Sequence, residues 1–455
     1  MLSTACAVAR YSQWGKVVGM GRLCLVLGAC LVAIHPSELR AQDEAGKLAS
    51  DTLKASDIKY PNTTAGEFTP SKGFDIVETR RASLNISFYG LFRYINQMSP
   101  GQLYLDHLGR ERVVSARNDL YWHRTMVWLT GFFFTHRFRY NVTMWSLSTT
   151  QQALLFGNLQ YIFSSKFLVG AGILPNLTVR SMQGTWPFWA GSDRQMSEEF
   201  FRGGFSSGVF VSGEVLPKFY YSLSVNTNLS QLGVVAANDT RDFAFSGTFI
   251  WMPTTGEFGP RGGLGDFEDH QQLATRFGAS GGHSRESRYA NDSVPPNATQ
   301  IKLSDGVNPF DAGALAEGVT VQKLNYDEVA VDVGFKYRGA YLQGEYYFRR
   351  LSHFQATGAL PITSIFDHGF QVQGSYMVVP RLVNLYLTYG QVFDDFGRRP
   401  WEISPGVQVY PSRTRSWRLN VHLIRVERSP ASSTFGYYTA GQSGTTLSIG
   451  TDFLL

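Results

Sequence analysis

A dense group of opposed charges lies within residues 175–206. Its charged members are Arg180, Asp193, Arg194, Glu198, Glu199 and Arg202, and they are interspersed with Trp186, Phe188 and Trp189. If this stretch lines a narrow aqueous passage, its opposed charges orient a passing dipole and discriminate solutes by charge. If it lies outside the fold, the charges are solvated and the aromatic residues hold the loop down. The elements around it decide between these two interpretations.

A second set of charges recurs at every other position of several extended segments. In residues 329–337 (VAVDVGFKY), apolar side chains alternate with Asp332 and Lys336. A period of two places these two sets on opposite sides of a sheet, and in a transmembrane barrel the polar side faces the lumen. We therefore predict eight charged lumen residues. They are Arg93, Arg139, Glu328, Asp332, Lys336, Glu345, Arg349 and Arg418.

Other kinds of site find little support in the sequence. The three cysteines, Cys6, Cys24 and Cys30, all fall in the first 41 residues, so the mature chain has no disulfide or thiolate chemistry. The later histidines have no metal-type spacing, and no Gly-x-Ser-x-Gly, P-loop or His-Glu-x-x-His motif occurs. We predict no catalytic residue, no cofactor and no bound metal.

Residues 1–41 are typical of a secretory signal peptide. Arg10, Lys16 and Arg22 precede an apolar stretch at residues 23–34, which is too short to span a bilayer as a helix. A small residue at a cleavage position, Ala41, predicts a mature chain that begins near Gln42. The following residues, 42–72, are polar and lack either period, so we predict a periplasmic leader there.

The composition of the remaining chain narrows its class. Removing four basic residues and one acidic residue from totals of 41 and 36 leaves 37 against 35, so no polyanionic partner such as nucleic acid is implied. Beyond the signal no run of 18 apolar residues exists, which excludes a membrane-spanning helix. The alternating segments carry many aromatic residues near their ends, as an interfacial girdle requires.

About sixteen segments alternate in this way. They lie near residues 82–96, 120–134, 137–149, 155–164, 166–174, 207–216, 218–228, 242–252, 271–280, 328–338, 340–349, 368–379, 382–392, 403–411, 416–426 and 445–454. Short turns join alternate pairs, and longer loops lie between them at 97–119, 175–206, 281–327, 350–366 and 427–443. One short-side connection, 253–270, is long and glycine-rich and fits this pattern least well.

This organisation predicts an all-β fold. We expect a transmembrane antiparallel β-barrel of about sixteen strands over residues 73–455, located in the bacterial outer membrane. Closing the sheet leaves no unpaired edge in lipid. Leu447, Ile449, Phe453 and Leu455 share one face of the last segment, which resembles the terminal strand of outer-membrane proteins.

Two stretches resemble the phosphate-selective porin O and P family, namely Phe200 to Gly233 and Gly265 to Ser280, and residues 84–94 look like its opening strand. The resemblance implies a sixteen-stranded, usually trimeric channel whose third long loop folds inward. Residues 175–206 are the third loop by position, which favours a pore constriction there. The chain is poor in lysine and mixes acids with its lumen arginines, so the resemblance extends to fold and channel role but not to phosphate specificity.

Further basic residues lie in or beside the short turns. They are Arg137, Lys166, Lys218, Arg338, Arg381, Arg413 and Arg415, with no acid nearby in sequence. They either draw anions to the periplasmic mouth or pair with lipid headgroups, and the second interpretation is favoured. At the opposite strand ends, Arg349, Arg350, Arg398 and Arg399 are suited equally to lipopolysaccharide and to substrate steering.

The leading hypothesis is a passive diffusion channel, a porin, for small hydrophilic solutes with a weak preference for anions such as phosphate. The predicted partners are outer-membrane lipid or lipopolysaccharide, the solutes themselves and, by the resemblance, two further copies in a homotrimer. Two alternatives stay open. A barrel-embedded hydrolase with a Ser/His pair on its lipid-facing side would use a smaller barrel, and an adhesive or structural barrel would display residues 281–327 outside as a binding surface.

Overall fold

The computed structural model describes residues 73–98, 102–114, 116–147, 152–183, 189–229, 242–259, 263, 265–288, 301–431, 438–439 and 441–455. The predicted signal peptide (1–41), the predicted leader (42–72), Trp186 and Phe188 lie outside these residues. Within the described part of the chain, no helix is long and apolar enough to cross a membrane.

The described elements are almost entirely strands. They are β1 Phe74–Glu78, β2 Ser83–Gln97, β3 Gln102–Leu105, β4 Glu111–Val114, β5 Asn118–Phe133, β6 Thr135–Leu147, β7 Gln152–Ser164, β8 Phe167–Pro175, β9 Phe205–Leu216, β10 Phe219–Asn226, β11 Ala244–Trp251, β12 Ala274–Ser287, β13 Val321–Tyr337, β14 Ala340–Ala356, β15 Ser364–Val379, β16 Val383–Phe393, β17 Trp401–Val409, β18 Trp417–Glu427 and β19 Gly444–Leu454. A 3-10 turn at Arg180–Gln183 and one short helix, α1 (Met196–Phe201), lie between β8 and β9.

Sixteen of these strands, β2 and β5 to β19, form one antiparallel meander in which β19 pairs with β2. The sheet therefore closes into a barrel, and the predicted fold is confirmed. β1 pairs with the same edge of β2 as β19 does, beyond the point where the chain ends. Leu455 is hydrogen-bonded to Phe88, and Phe74 lies opposite Ile86. β3 and β4 form a separate hairpin in the connection between β2 and β5.

The two faces of the wall differ sharply in polarity. On β18, Val421 is 45% exposed on the outer face, whereas its neighbour Asn420 is 1% exposed on the inner face. Aromatic pairs such as Trp251–Phe277 and Trp417–Phe453 ring the outer face where the short turns lie. An apolar, aromatic-rimmed exterior around a polar interior, with every edge paired, is the arrangement that lipid demands. The chain is thus an outer-membrane β-barrel.

Several strands are longer than the alternation predicted. The predictions of loops at 281–327 and 350–366 are partly wrong. β12 extends to Ser287 and β13 begins at Val321, while β14 extends to Ala356 and β15 begins at Ser364. In these extensions polar residues such as His283 and Asp327 lie on the outer face, where they pair with each other at 2.7 Å. Above the apolar band both faces are polar, so the period-two signal disappears there.

The short turns define one rim, which is periplasmic in barrels of this class. Between β13 and β14 the chain reverses over Arg338 and Gly339, which both have positive φ, as a tight two-residue hairpin turn requires. Lys218, Arg381 and Arg413 also occupy the left-handed region in other turns at this rim. Basic residues therefore sit at the sharpest points of these connections.

The long connection between β11 and β12 folds back across the periplasmic opening, and we call residues 252–273 the periplasmic strap. Phe258 is buried against Gly334 and lies 6.3 Å from Tyr341, ring centroid to ring centroid. Farther along, Asp266 accepts the Gly339 N–H at 2.8 Å, and Glu268 pairs with Arg415 at 3.1 Å. The strap thus contacts both the neighbouring β13–β14 turn and the more distant β17–β18 turn of the rim.

Candidate functional site

The segment between β8 and β9 lies inside the barrel, and we call residues 176–204 the constriction loop. Every described residue of it except Gly191 is buried. Its two ends are joined to each other and to the wall. The Gly203 N–H donates to the Thr178 hydroxyl at 2.8 Å, and the Asn176 amide donates to the Leu229 carbonyl at 2.7 Å. Because its two ends are joined in this way, the loop projects inward from the wall.

The helix of the loop, α1, is held against the inner wall by apolar packing. Phe201 is fully buried and stacks on Tyr347 with ring centroids 4.8 Å apart. Glycines on the wall make room for the helix, because a Cβ at Gly369 would lie 2.8 Å from the Phe201 ring and one at Gly390 would lie 2.5 Å from the Ser197 hydroxyl. Small residues on β15 and β16 therefore allow the close approach of the helix.

The charged residues of the loop are engaged in ion pairs and hydrogen bonds. Arg202 binds Glu199 through two bonds of 2.7 and 2.8 Å, and Arg93 of the wall binds Asp193. The backbone N–H of Arg180 donates to Glu345 at 2.8 Å. Charge-assisted bonds of this kind compensate for the burial of both partners.

The remaining two charges of the loop share the hydroxyl of Ser181. The Arg194 Nε donates to it at 2.9 Å, and the hydroxyl donates to Glu198. Burial raises the pKa of Glu198, against the opposing effects of Arg194 and this hydrogen bond. The Arg194 guanidinium also lies 4.5 Å from the Trp189 ring centroid. Of the three aromatic residues singled out in the sequence, Trp189 is the one that the structure describes.

Seven of the eight predicted lumen residues are buried on the inner face, and the eighth, Arg139, is half-buried on the same face of β6. Their partners were missed by the sequence reading. Arg349 binds Asp367 at 2.7 Å and Arg418 binds Asp452 at 2.5 Å. Asp452 alternates correctly with Phe453 in the last strand, so the pattern could have identified it. Asp367 lies just outside the segment that was recognised as a strand.

Lys336 and Asp332 show how the wall is linked to the loops that fill its openings. The Lys336 ammonium donates to two strap carbonyls, of Phe258 and Gly263, at 2.7 and 2.6 Å. Asp332 accepts from Arg276, another missed residue, at 2.9 Å. The Arg180 guanidinium lies 5.5 Å from the Phe258 ring centroid, so the strap and the constriction loop meet within the barrel.

The basic residues of the periplasmic rim have more varied surroundings than their sequence suggested. The expectation that no acid lies near them is wrong for Arg415, which pairs with Glu268 because the strap folds back to that rim. Lys218 donates to the carbonyls of Pro253 and Thr254, at the beginning of the strap. Arg338 lies over the Tyr337 ring.

At the opposite opening, residues 301–315 fold into the barrel mouth, and Ile301, Leu303, Phe310 and Leu315 form an apolar cluster with the upper ends of β13 to β15. His107 of the β3–β4 connection donates its backbone N–H to Asp305 at 2.9 Å. Burial works against the charged form of Asp305, yet His107 and Arg398 lower its pKa to about 2. In the adhesive alternative residues 281–327 would be displayed outside, whereas these apolar side chains of residues 301–315 pack into the barrel mouth.

Two clusters in the described residues have metal-type donors, Asp106–His107–Asp305 and Asp266–Glu268–His270. In each cluster the carboxylates already accept from basic side chains. Asp106 accepts from Arg110 at 2.7 Å, and Glu268 accepts from Arg415 at 3.1 Å. A cation would have to displace these arginines, so the donor sets support salt-bridged connections rather than metal sites.

No protein-family model matches this chain, and no curated protein matches it. Among solved structures it is similar to OmpT of Vibrio cholerae (14% identity, covering 84% of this chain and all of that one, TM-score 0.48). It is also similar to an anion-selective porin from Comamonas acidovorans (12%, 82% and 100%, 0.46) and to Salmonella typhi OmpF in complex with daunomycin (11%, 84% and 100%, 0.49). At these identities the likeness concerns the fold and does not identify a function.

Proposed function

We propose that the protein is a passive diffusion channel for small hydrophilic solutes. The observation that carries this proposal is the constriction loop. Its two ends are joined, it contains six charged residues, and it lies inside a barrel with a polar inner face. A folded loop at that position reduces the width of the lumen and leaves the strands of the surrounding wall in place. Charged groups held in a fixed geometry then select solutes by size and dipole.

Charge selectivity in such a channel depends on the balance of lumen charges. Counting described strand residues that are buried, the wall carries six basic groups and seven acidic groups. The basic ones are Arg93, Arg124, Arg276, Lys336, Arg349 and Arg418, and the acidic ones are Glu286, Glu328, Asp332, Glu345, Asp367, Glu402 and Asp452. The weak anion preference inferred from sequence stays a prediction. The nearly equal numbers of basic and acidic groups support only a small preference for ions of one charge.

The hydrolase alternative gains no support from the Ser/His contact on the inner wall. Ser404 and His422 lie 3.3 Å apart, but the Ser404 hydroxyl donates its hydrogen to the Leu423 carbonyl at 2.9 Å. A nucleophilic serine must instead donate to its histidine. Both residues are buried on the inner face, not on the lipid-facing side that this alternative requires.

Planar-bilayer recording of the purified protein tests the proposal. We expect discrete conductance steps, and larger steps from a variant that lacks residues 181–194, because the deletion shortens the constriction loop. Heat-modifiable migration of both proteins on a gel is the control for folding. A folded, inserted wild-type protein that gives no steps under any applied voltage would contradict the proposal.

A further inference from the structure

A small chamber lies between the constriction loop and the inner wall of β15 to β18. Its loop side is formed by residues 189–191, residues 193–195 and Glu198, and its wall side includes Gln373, Glu402 and His422. The cavity has a volume of about 20 Å³. That is room for one group of about the size of a water molecule.

Three buried side chains that line this chamber carry polar atoms without a hydrogen-bond partner among the described residues. These atoms are both amide atoms of Gln195, the Nε2 of His422 and the Oε1 of Gln373. These side chains are at most 5% exposed. Because a buried polar atom without a partner costs about 1–3 kcal/mol, three such residues around one space indicate a group that binds there.

The hydrogen bonds behind these side chains determine what they offer. The single hydrogen of Ser404 is donated to the Leu423 carbonyl, so Ser404 accepts from His422 and the Nδ1 of His422 carries a hydrogen. Neutral His422 therefore turns the lone pair of its Nε2 to the chamber. The Gln373 amide donates to Gln371 at 2.7 Å, which leaves its Oε1 as an acceptor.

The charges around the chamber leave one acid uncompensated. Glu402 accepts the Met196 N–H at 2.6 Å, and the charged groups that act on it are the acids Asp193 and Glu198. Asp193 has Arg93 as its partner, and Arg194 acts on Glu198. Among the described residues, no basic side chain forms an ion pair with Glu402.

Resting on the proposed channel function, we propose that this chamber binds the ammonium group of a small cationic solute at the constriction. An ammonium group is close to water in size, carries several donors and no acceptor, and brings the positive charge that Glu402 lacks. Phosphate would meet Glu402 as a like charge and is larger than the space. Water could accept from the Gln195 Nε2, which an ammonium group cannot do, but water offers only two donors and no charge to the acceptors and to Glu402.

Equilibrium binding of methylammonium to the detergent-solubilised full-length protein tests this proposal, with methanol as the neutral probe of the same shape and phosphate as the anionic probe. We expect saturable binding of methylammonium alone. Glu402→Gln should weaken it about tenfold or more, because a charge-assisted hydrogen bond is lost. Glu328→Gln is the matched control, since Glu328 is equally buried, at 2%, and lies outside the chamber lining.

Equal losses in the two variants, or methanol binding as well as methylammonium, would overturn the proposal. Gln373→Leu gives a second, charge-neutral variant and should weaken binding by a smaller factor, provided that heat-modifiable migration is retained. The bilayer recordings separate the two claims. Binding of methylammonium without conductance steps would contradict the channel function alone, whereas conductance without this binding would contradict the chamber alone.

Discussion

Two segments enter the barrel from opposite openings, and they are held by different physical means. The constriction loop is anchored through apolar packing of α1 on the wall, with Phe201 against Tyr347, and through ion pairs that are buried on both sides. The periplasmic strap has one buried aromatic contact, Phe258 against Gly334, and is otherwise anchored by polar contacts at the rim, such as Glu268 with Arg415. The polar anchors of the strap should therefore respond to pH, whereas the apolar packing of α1 should not.

His270 is the clearest example of the difference. Its Nδ1 contacts Asp266 and its Nε2 lies 2.9 Å from Glu257, so both ring nitrogens face carboxylates. Hydrogen bonds from His270 to Asp266 and then to Glu257 raise its pKa to about 9. Since Asp266 also accepts the Gly339 N–H, this one charged ring fixes the strap to the β13–β14 turn.

The largest expected effect comes from removing the apolar anchor of the loop. Phe201→Ala should destabilise the folded protein by about 3–5 kcal/mol, because it empties a fully buried aromatic site. The corresponding change in the strap, Phe267→Ala, should cost less, since Phe267 is only partly buried against Tyr410. Urea unfolding in detergent micelles measures both. Equal losses would mean that the strap is anchored by packing as firmly as the loop.

The next effect is the pH dependence of the strap. Because the pKa of His270 is raised above its ordinary 6.5 to about 9, its contribution is fully present below pH 6.5 and is lost as the pH rises through 9. With a discount for the exposed Glu257, this contribution amounts to about 2 kcal/mol. Limited proteolysis of the strap should accelerate over that window in the wild type.

His270→Gln is the control for this pH effect, because it keeps hydrogen bonding but cannot titrate. Cleavage in the strap of this variant should be faster at neutral pH and nearly independent of pH between 6.5 and 9. At each pH, cleavage in the constriction loop should be the same in the variant as in the wild type. A loop that opened in step with the strap would show that the two anchors are coupled, for instance through Arg180 and Phe258.

The difference between the constriction loop and the periplasmic strap also shows what could be predicted from the sequence. All sixteen barrel strands coincide with predicted segments, because lipid on one side and polar lumen on the other impose a strict period of two. Strand β1 and the β3–β4 hairpin were missed, since neither forms part of that two-sided wall. The strap was noticed only as an irregular connection, because its contacts join residues far apart, such as Glu268 and Arg415.

The sequence predicted which charged residues belong to the candidate site, but not which residues they pair with. Alternation placed Arg349 and Arg418 on one face, but their acids Asp367 and Asp452 come from neighbouring strands through the register of the sheet. The positive excess expected in the lumen therefore does not appear among the buried wall residues. The chamber likewise combines Gln195 of the loop with His422 of β18, which are far apart in sequence.

The smallest effect concerns ion selectivity, and it compares the loop with the exposed periplasmic rim. Replacing Arg180, Arg194 and Arg202 together by Gln leaves their acidic partners Glu198 and Glu199 uncompensated within the lumen. The reversal potential in a salt gradient should then shift toward cations. In the proposed channel a solute would pass within a few ångströms of these groups, whereas charges at the rim are screened over about 8 Å at physiological salt.

The matched rim variant replaces Arg137, Arg381 and Arg413 by Gln, which removes the same formal charge in or beside the short turns of the periplasmic rim. Its reversal potential should move less, and the difference between the two variants should shrink as the salt concentration rises. Both variants need heat-modifiable migration as evidence of folding, because removing one partner of a buried ion pair destabilises the other. If the rim variant shifts the potential and the loop variant does not, the constriction loop does not line the path of the ions, and its paired charges serve only to hold it in place.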